Sequence, residues 1–259
     1  MKTERWAPIL FGVFGLLIWQ GAVIALHVPV YVLPGPIAII QAFFADWQSL
    51  LISLVATLAI AAASLLAAAM LGMMLALAMA ASRWARAAIQ PWAVVLQVTP
   101  VVALAPLIII WVHQQFLALV VCATIVGFFP VLSNTAAGLA ATPPALLDLF
   151  RLNGASRWQI VFLLRLPSAL PFFLAGLRIA GTLALVGAVV AEFVASSGGF
   201  ASGLAGRILE AGYRLEIPRM FAALTLLALA GIAIYAALGA FERGILKRVG
   251  AVSSQDHAP

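Results

Sequence analysis

Long stretches such as Trp47 to Ser82 and Ala87 to Leu147 carry no Asp, Glu, Lys or Arg. About 20 apolar residues are enough to cross a bilayer as a helix, so both stretches have room for at least one crossing. Their polarity does not alternate from residue to residue, as the strands of a membrane barrel require. Backbone groups in lipid must then be satisfied within helices. The apolar tracts predict six spans: Ala7 to Leu26, Leu50 to Ala81, Ala93 to Val112, Phe116 to Ala141, Ala169 to Ala195 and Met220 to Ala240. The expected fold is an all-α integral membrane protein with one domain over residues 1–259. The apolar part of the first tract exceeds the roughly 7–15 residues of a secretory signal, so it reads as a retained span.

Composition agrees with this pattern. The chain is 65% hydrophobic and 8% charged, against about 25% charged in soluble domains. Charge then orients the spans. One set of alternate loops holds Lys2, Arg5, Arg83, Arg86, Arg151, Arg157, Arg165, Arg243, Lys247 and Arg248, and the other only Arg207, Arg214 and Arg219. The positive-inside rule makes both termini cytoplasmic. The net charge of +6 comes from residues flanking apolar tracts, with no basic stripe and interleaved aromatics, so nucleic acid is not an expected partner. Membrane lipid is. The lone Cys122 can form no internal disulfide, and three scattered histidines, His113 among them, make no metal set.

On the less basic side, Leu33-Pro34-Gly35-Pro36 is a turn. Ile37, Ile40, Phe43, Phe44 and Trp47 follow at spacings of three and four, which predicts a short interfacial helix with Trp47 at headgroup level. Ser196-Ser197-Gly198-Gly199 ends the fifth span, and Ser253 to Pro259 is expected to be a disordered tail.

The loop over 142–168 is cytoplasmic and carries most of the local signals. Thr142-Pro143-Pro144 offers an N-cap and a proline where a helix tolerates one. The helix it starts should stop at Asn153-Gly154. Ser156-Arg157-Trp158-Gln159 has the spacing of a capping box and predicts a second helix. Pro167 and Pro171 then punctuate the start of the fifth span, giving a bent pair of helices. On residue types alone two readings stand. Arg151, Arg157 and Arg165 could hold a connector at anionic headgroups, or Leu146, Leu149, Phe150 and Leu152 could fill a groove on a partner.

Asp148, Leu149 and Phe150, then Gly154, then Leu164-Arg165-Leu166-Pro167 resemble the cytoplasmic loop of permease subunits of bacterial ATP-binding-cassette (ABC) importers. The pattern there is Glu-Ala-Ala, three residues, Gly, nine residues, Ile, any residue, Leu-Pro. The spacing matches; Asp148 replaces the Glu and Phe150 stands where a small residue is usual. Gly154-Ala155-Ser156-Arg157-Trp158-Gln159 is similar to the nitrate, sulfonate and taurine branch. So are Leu33-Pro34-Gly35-Pro36, Leu104-Ala105-Pro106-Leu107, Phe129-Pro130 with Asn134, Gly176-Leu177-Arg178 and Ala191-Glu192. Val186 to Glu192 looks slightly more like relatives that carry pyrimidines and riboflavin.

The resemblance implies the type I ABC importer permease fold and a coupling loop seated in a cleft of a cytoplasmic ABC ATPase. It further implies two ATPase copies, an extracytoplasmic binding protein, a homodimeric permease and location in the bacterial cytoplasmic (inner) membrane. Its substrate would be a small anion or a heteroaromatic vitamin precursor. The chain has no Gly-x-x-x-x-Gly-Lys-Ser/Thr loop, so ATP and Mg are expected on the partner and no cofactor on this chain. Gly154 is expected to permit close backbone approach at the turn.

Polar groups within spans each need a reason. Gln97, Thr99, Pro100 and Pro106 interrupt the third span, and Pro130, Ser133, Asn134 and Thr135 the fourth. Thr99, Pro100, Pro130, Asn134 and Glu192 are the candidates for lining a pathway, against a packing role for each. Glu192 could instead pair with Arg207 or Arg214, and Arg178 could snorkel to the cytoplasmic headgroups. Arg178 and Glu192 share a helical face but lie about 21 Å apart along it, so they cannot pair. An ion-coupled secondary transporter is the alternative, and it would want more charge near the midplane than this chain offers. An intramembrane enzyme would need a Gly-x-Ser-x-Gly, His-Glu-x-x-His or comparable cluster, and the chain has none.

Overall fold

A computed structural model describes residues 6–197, 203–248 and 250, and among these the chain is helical with no strand. The elements are α1 (Ala7–Ala25), α2 (Pro36–Ala45), α3 (Trp47–Ala81), α4 (Arg83–Val98), α5 (Val101–Trp111), α6 (Gln115–Ala140), α7 (Pro144–Leu152), α8 (Arg157–Gln159), a π-helical segment (Ile160–Arg165), α9 (Leu166–Ser197), α10 (Leu204–Tyr213) and α11 (Ile217–Arg248). Gly198, Gly199 and the tail from Ser253 lie outside the described residues. Among the described residues four helical runs are long and apolar enough to cross a membrane: α3, α6, the run Arg157–Ser196 and α11. The pair α4 and α5 makes a fifth if it counts as one broken span. The first of the six predicted spans falls on α1, a shorter apolar helix of 19 residues.

The interruption expected in the third span is present, and two other helix boundaries depart from expectation. The third span is not one helix, because α4 and α5 bend by 102° at Thr99-Pro100. Proline disfavours helical dihedrals in the residue before it, and Thr99 is extended at φ −74, ψ 124. The short helix after Pro36 ends at Ala45, and Trp47 opens α3.

The second departure is at the start of the fifth span, where Pro167 and Pro171 do not break the helix. An α-helical proline clashes with the carbonyl four residues back. Here the turn before Pro167 widens, and the Leu166 N–H reaches back five residues to the Val161 carbonyl. The second helix of the loop, α8, is therefore the first turn of a continuous run, Arg157–Ser196.

The chain divides into two compact units, residues 1–56 with 196–229, and residues 57–195 with 230–259. In the first, the Ile37 N–H donates to Gln20 Oε1 at 3.2 Å, tying α2 to α1. Leu50, Leu204 and Ile208 are buried there, Arg207 Nε donates to Ser53 Oγ at 3.1 Å, and Arg219 pairs with Asp46 and Glu216.

The second unit is built on small residues. Ala68, Ala76, Phe128, Leu132, Leu139 and Ala169 form a buried cluster. A Cβ on Gly176 would stand 2.8 Å from the Pro130 carbonyl oxygen, and one on Gly187 2.9 Å from the Ala123 Cα. The backbones of α6 and α9 are thus in contact, which is how helices associate in lipid without a hydrophobic drive between them. Arg178, expected to reach for headgroups, instead joins α9 to α11. Its guanidinium lies 4.0 Å from the centre of the Tyr235 ring and 3.5 Å from Glu242.

Candidate functional site

The segment from Pro144 to Pro167 folds by local rules. Pro143 occupies the N-cap of α7 without a side-chain bond. Thr142, expected there, turns its hydroxyl back to the Leu139 carbonyl at 3.3 Å and so finishes α6. At the other end, the Gly154 N–H donates to the Arg151 carbonyl and the Ala155 N–H to the Phe150 carbonyl, both at 3.0 Å. This is the bonding of a Schellman ending, which needs a left-handed residue just past the cap. Gly154 has φ +72. A Cβ there would meet nothing within 4 Å in this chain, so within the permease the glycine serves the dihedral.

The second half starts with a complete capping box. The Gln159 N–H donates to Ser156 Oγ, and the Ser156 N–H to Gln159 Oε1 at 2.7 Å. Trp158 stacks on Phe162 with ring centres 5.9 Å apart. Leu164 is buried and Arg165 Nη1 donates to the Ala80 carbonyl at 3.3 Å, while Leu166 is half-buried and Pro167 exposed.

The faces of α7 are unequal. Leu147 and Phe150, three residues apart, are half-buried. Leu146, Leu149 and Leu152 are exposed, the last two by 52% and 87%. Phe150 therefore turns back toward its own chain, and the exposed apolar face is made of leucines. Asp148 and Arg151 pair at 3.2 Å but stand mostly in solvent, where such a pair is worth at most about 1 kcal/mol. Ala155 is half-buried, and Arg157 and Trp158 are exposed beside the turn.

The candidates for pathway lining divide. Thr99 and Pro100 sit at the α4–α5 bend, with Thr99 Oγ1 donating to the Val95 carbonyl at 2.6 Å. Asn134 Nδ2 donates to the Pro130 carbonyl at 2.8 Å, the same oxygen that faces Gly176, so both residues belong to the α6–α9 contact. Ser133 is exposed and lines a cavity of about 300 Å³ with Gln90 and Arg86. Glu192 is 2% exposed and accepts from Thr57 Oγ1 at 2.9 and 3.1 Å. Thr57 has no signal in the sequence, since it lies 135 residues away. Glu242 could have been found as the acid of the last helix that answers Arg178.

Arg207 and Arg214, offered as partners of Glu192, both bond Glu210, at 2.8 and 3.0 Å. The hydrogen bond from Arg207 holds the Glu210 carboxyl below its ordinary value of 4.5. The unfolded group titrates at the ordinary value, so its stabilisation is complete above that pH and is lost as pH falls through the lower folded value. Limited proteolysis between Ser197 and Ile217 is expected to quicken on acidification below about pH 4.5. Glu210→Gln should remove that acid-dependent part. An equally steep profile in the variant would exclude Glu210 as its source.

Residues 68–247 match the sequence family described as "Binding-protein-dependent transport system inner membrane component". The formylaminopyrimidine transport permease protein ThiX of Halalkalibacterium halodurans is 35% identical over 240 residues, covering 92% of this chain and 94% of that protein. The riboflavin transport system permease protein RibX of Chloroflexus aurantiacus is 34% identical, covering 90% and 86%. The crystal structure of an amino acid ABC transporter with histidines has the same fold, with a TM-score of 0.64 at 19% identity over 78% of this chain and 97% of that one.

Proposed function

Because the chain belongs to the family of binding-protein-dependent transport system inner membrane components and is a multi-pass permease of the ABC importer type, we propose that Asp148 to Gln159 couples it to a cytoplasmic ATPase. The observation that carries this reading is the exposed leucine face of α7, held at a fixed angle by the Schellman ending and the capping box. Leu146, Leu149 and Leu152 expose more apolar surface than a free loop needs, and one face of a short helix suits a groove on a partner. Arg151, Arg157 and Trp158 stand at its rim.

ATP and Mg belong to that partner, in two copies, one for each protomer of a permease homodimer. ATP-driven closure of the pair would carry both α7 helices with it. The run Arg157–Ser196 is continuous from the capping box, so movement at the loop passes into the membrane as displacement of one long helix and exchanges inward-open for outward-open states. Leu164, Leu166 and Pro167 lie at the widened turn where that helix begins.

Six crossings complete the permease when α1 and the bent α4–α5 pair each count as one. At 1.5 Å per residue, α1 is about 28 Å long, close to the roughly 30 Å of hydrocarbon. Both termini are then cytoplasmic, in the bacterial inner membrane, with the ten basic residues of one loop set on that side. The substrate is a small heteroaromatic precursor delivered by an extracytoplasmic binding protein. The names of the two relatives, formylaminopyrimidine and riboflavin transport permeases, support that class over a small anion. Of the pathway candidates, Thr99 and Pro100 at the bend suit lining best. Glu192 fastens α9 to α3 through Thr57, and Pro130 and Asn134 pack against α9.

The test is a double substitution, Leu149→Asp with Leu152→Asp. Both sites are exposed, so membrane insertion should match the parent chain. Co-purification of a co-expressed partner ATPase should fall at least roughly tenfold, the loss expected when the two apolar contacts together contribute about 1.4 kcal/mol or more. Undiminished co-purification would remove the docking role from this face.

A further inference from the structure

A second feature of the same end of the molecule is not explained by coupling. A cavity of about 990 Å³ opens between the α3–α4 turn and the start of α8. Arg83, Arg151, Arg157 and Arg165 line it, and no carboxylate does. Among the described residues Arg83, Arg157 and Arg165 have no ion-pair partner, and only Arg151 has one, Asp148. Arg165 Nε is buried without a hydrogen-bond partner. The first turn of α4 belongs to the wall, with Ser82, Arg83 and Trp84, and the positive end of its dipole adds to the four guanidinium groups. Such a site attracts an anion with several acceptor oxygens, since arginine forks match phosphate.

We propose that this cavity holds the phosphate of an anionic phospholipid headgroup. Phosphate chemistry alone would also fit a soluble phosphate, but the rest of the lining favours a lipid. Trp84 and Trp158 are 87% and 66% exposed beside the arginines, and indoles concentrate at headgroup depth. Ile160 and Val161 continue the wall with apolar surface. Leu149 and Leu152 do not line the cavity, so the leucine face of α7 and the basic pocket are distinct, but they share an edge at Arg151, Arg157 and Trp158. The inference requires that the chain lie in a membrane, and it does not depend on α7 docking an ATPase.

Native mass spectrometry of the full chain in detergent, titrated with phosphatidylglycerol or phosphatidylcholine, tests it. One phosphatidylglycerol should bind at least roughly tenfold more tightly than phosphatidylcholine. Arg83→Gln with Arg157→Gln, both exposed positions, should weaken that binding by about tenfold, whereas Lys247→Gln with Arg248→Gln should change it less than about twofold. Equal binding of the two lipids would show no selection for an anionic headgroup, and equal losses in the two double variants would reduce the effect to net charge; either overturns the site. Displacement of the lipid by millimolar inorganic phosphate would make the ligand soluble, and displacement by the purified ATPase would make it an acidic protein surface. Either result overturns the lipid assignment.

Discussion

Gly154→Val is expected to abolish transport while leaving the protein in the membrane. No atom lies within 4 Å of the Cβ it would add, so the effect is conformational. At φ +72 an L-residue pays roughly 1–2 kcal/mol, and a β-branched one more. The two bonds of the Schellman ending stand against that strain, and they are worth about 1 kcal/mol each. The turn should therefore open and α7 lose its fixed angle to α8. In proteoliposomes containing the ATPase and binding protein, ATP-driven uptake should fall at least roughly tenfold, the equivalent of about 1.4 kcal/mol. Gly154→Asn should keep most of the activity, because asparagine tolerates the left-handed region. Equal activity of the valine and asparagine variants would detach the turn geometry from coupling.

Gly176→Val is expected to damage folding before it damages function. The added Cβ would lie 2.8 Å from the Pro130 carbonyl oxygen, 3.0 Å from the Asn134 Cβ and 3.3 Å from the Val131 Cα. The first and third are backbone atoms of α6 and cannot swing aside, so the two helices must separate. Overpacking of this kind costs typically about 1–3 kcal/mol, and here separation would also strip contacts along the seam past Gly187. The yield of folded protein in mild detergent and its midpoint of thermal unfolding should both fall. A Gly176→Ala variant should fall by less, since it lacks the branching methyls. If valine is accommodated without loss, the α6–α9 contact is looser than these distances require.

What could be read from the chain was what is decided within a few residues. The Asn153-Gly154 stop and the Ser156-Gln159 capping box depend on neighbours three or four positions away, and both formed as their spacing predicts. Long apolar tracts likewise fix the helices they contain. Prolines were harder, because their effect depends on the choice the backbone makes around them. Pro100 produced a 102° bend, whereas Pro167 was absorbed by a π-helical turn and left its helix continuous. Thr142 looked like a cap for α7 but closes α6 instead, since Pro143 already sets the extended backbone that the cap position needs.

Tertiary partners were not legible. Glu192 finds Thr57, and Arg178 finds Glu242 and Tyr235, through the packing of helices whose order in the bundle no periodicity records. The orientation of Phe150 belongs to the same class. Its side matters to the site, because it leaves Leu146, Leu149 and Leu152 as the apolar face that remains exposed.

Docking of that face is the central claim, and a labelling experiment reaches it most directly. A thiol introduced as Leu152→Cys stands at a position 87% exposed, while the native Cys122 is buried and should stay unreactive. In inside-out vesicles the new thiol should react readily with a membrane-impermeant maleimide, and adding the ATPase should slow that reaction at least roughly tenfold, in keeping with full burial of the side chain. An unchanged rate with the ATPase bound would show that α7 lies outside the interface, and the coupling account would fail.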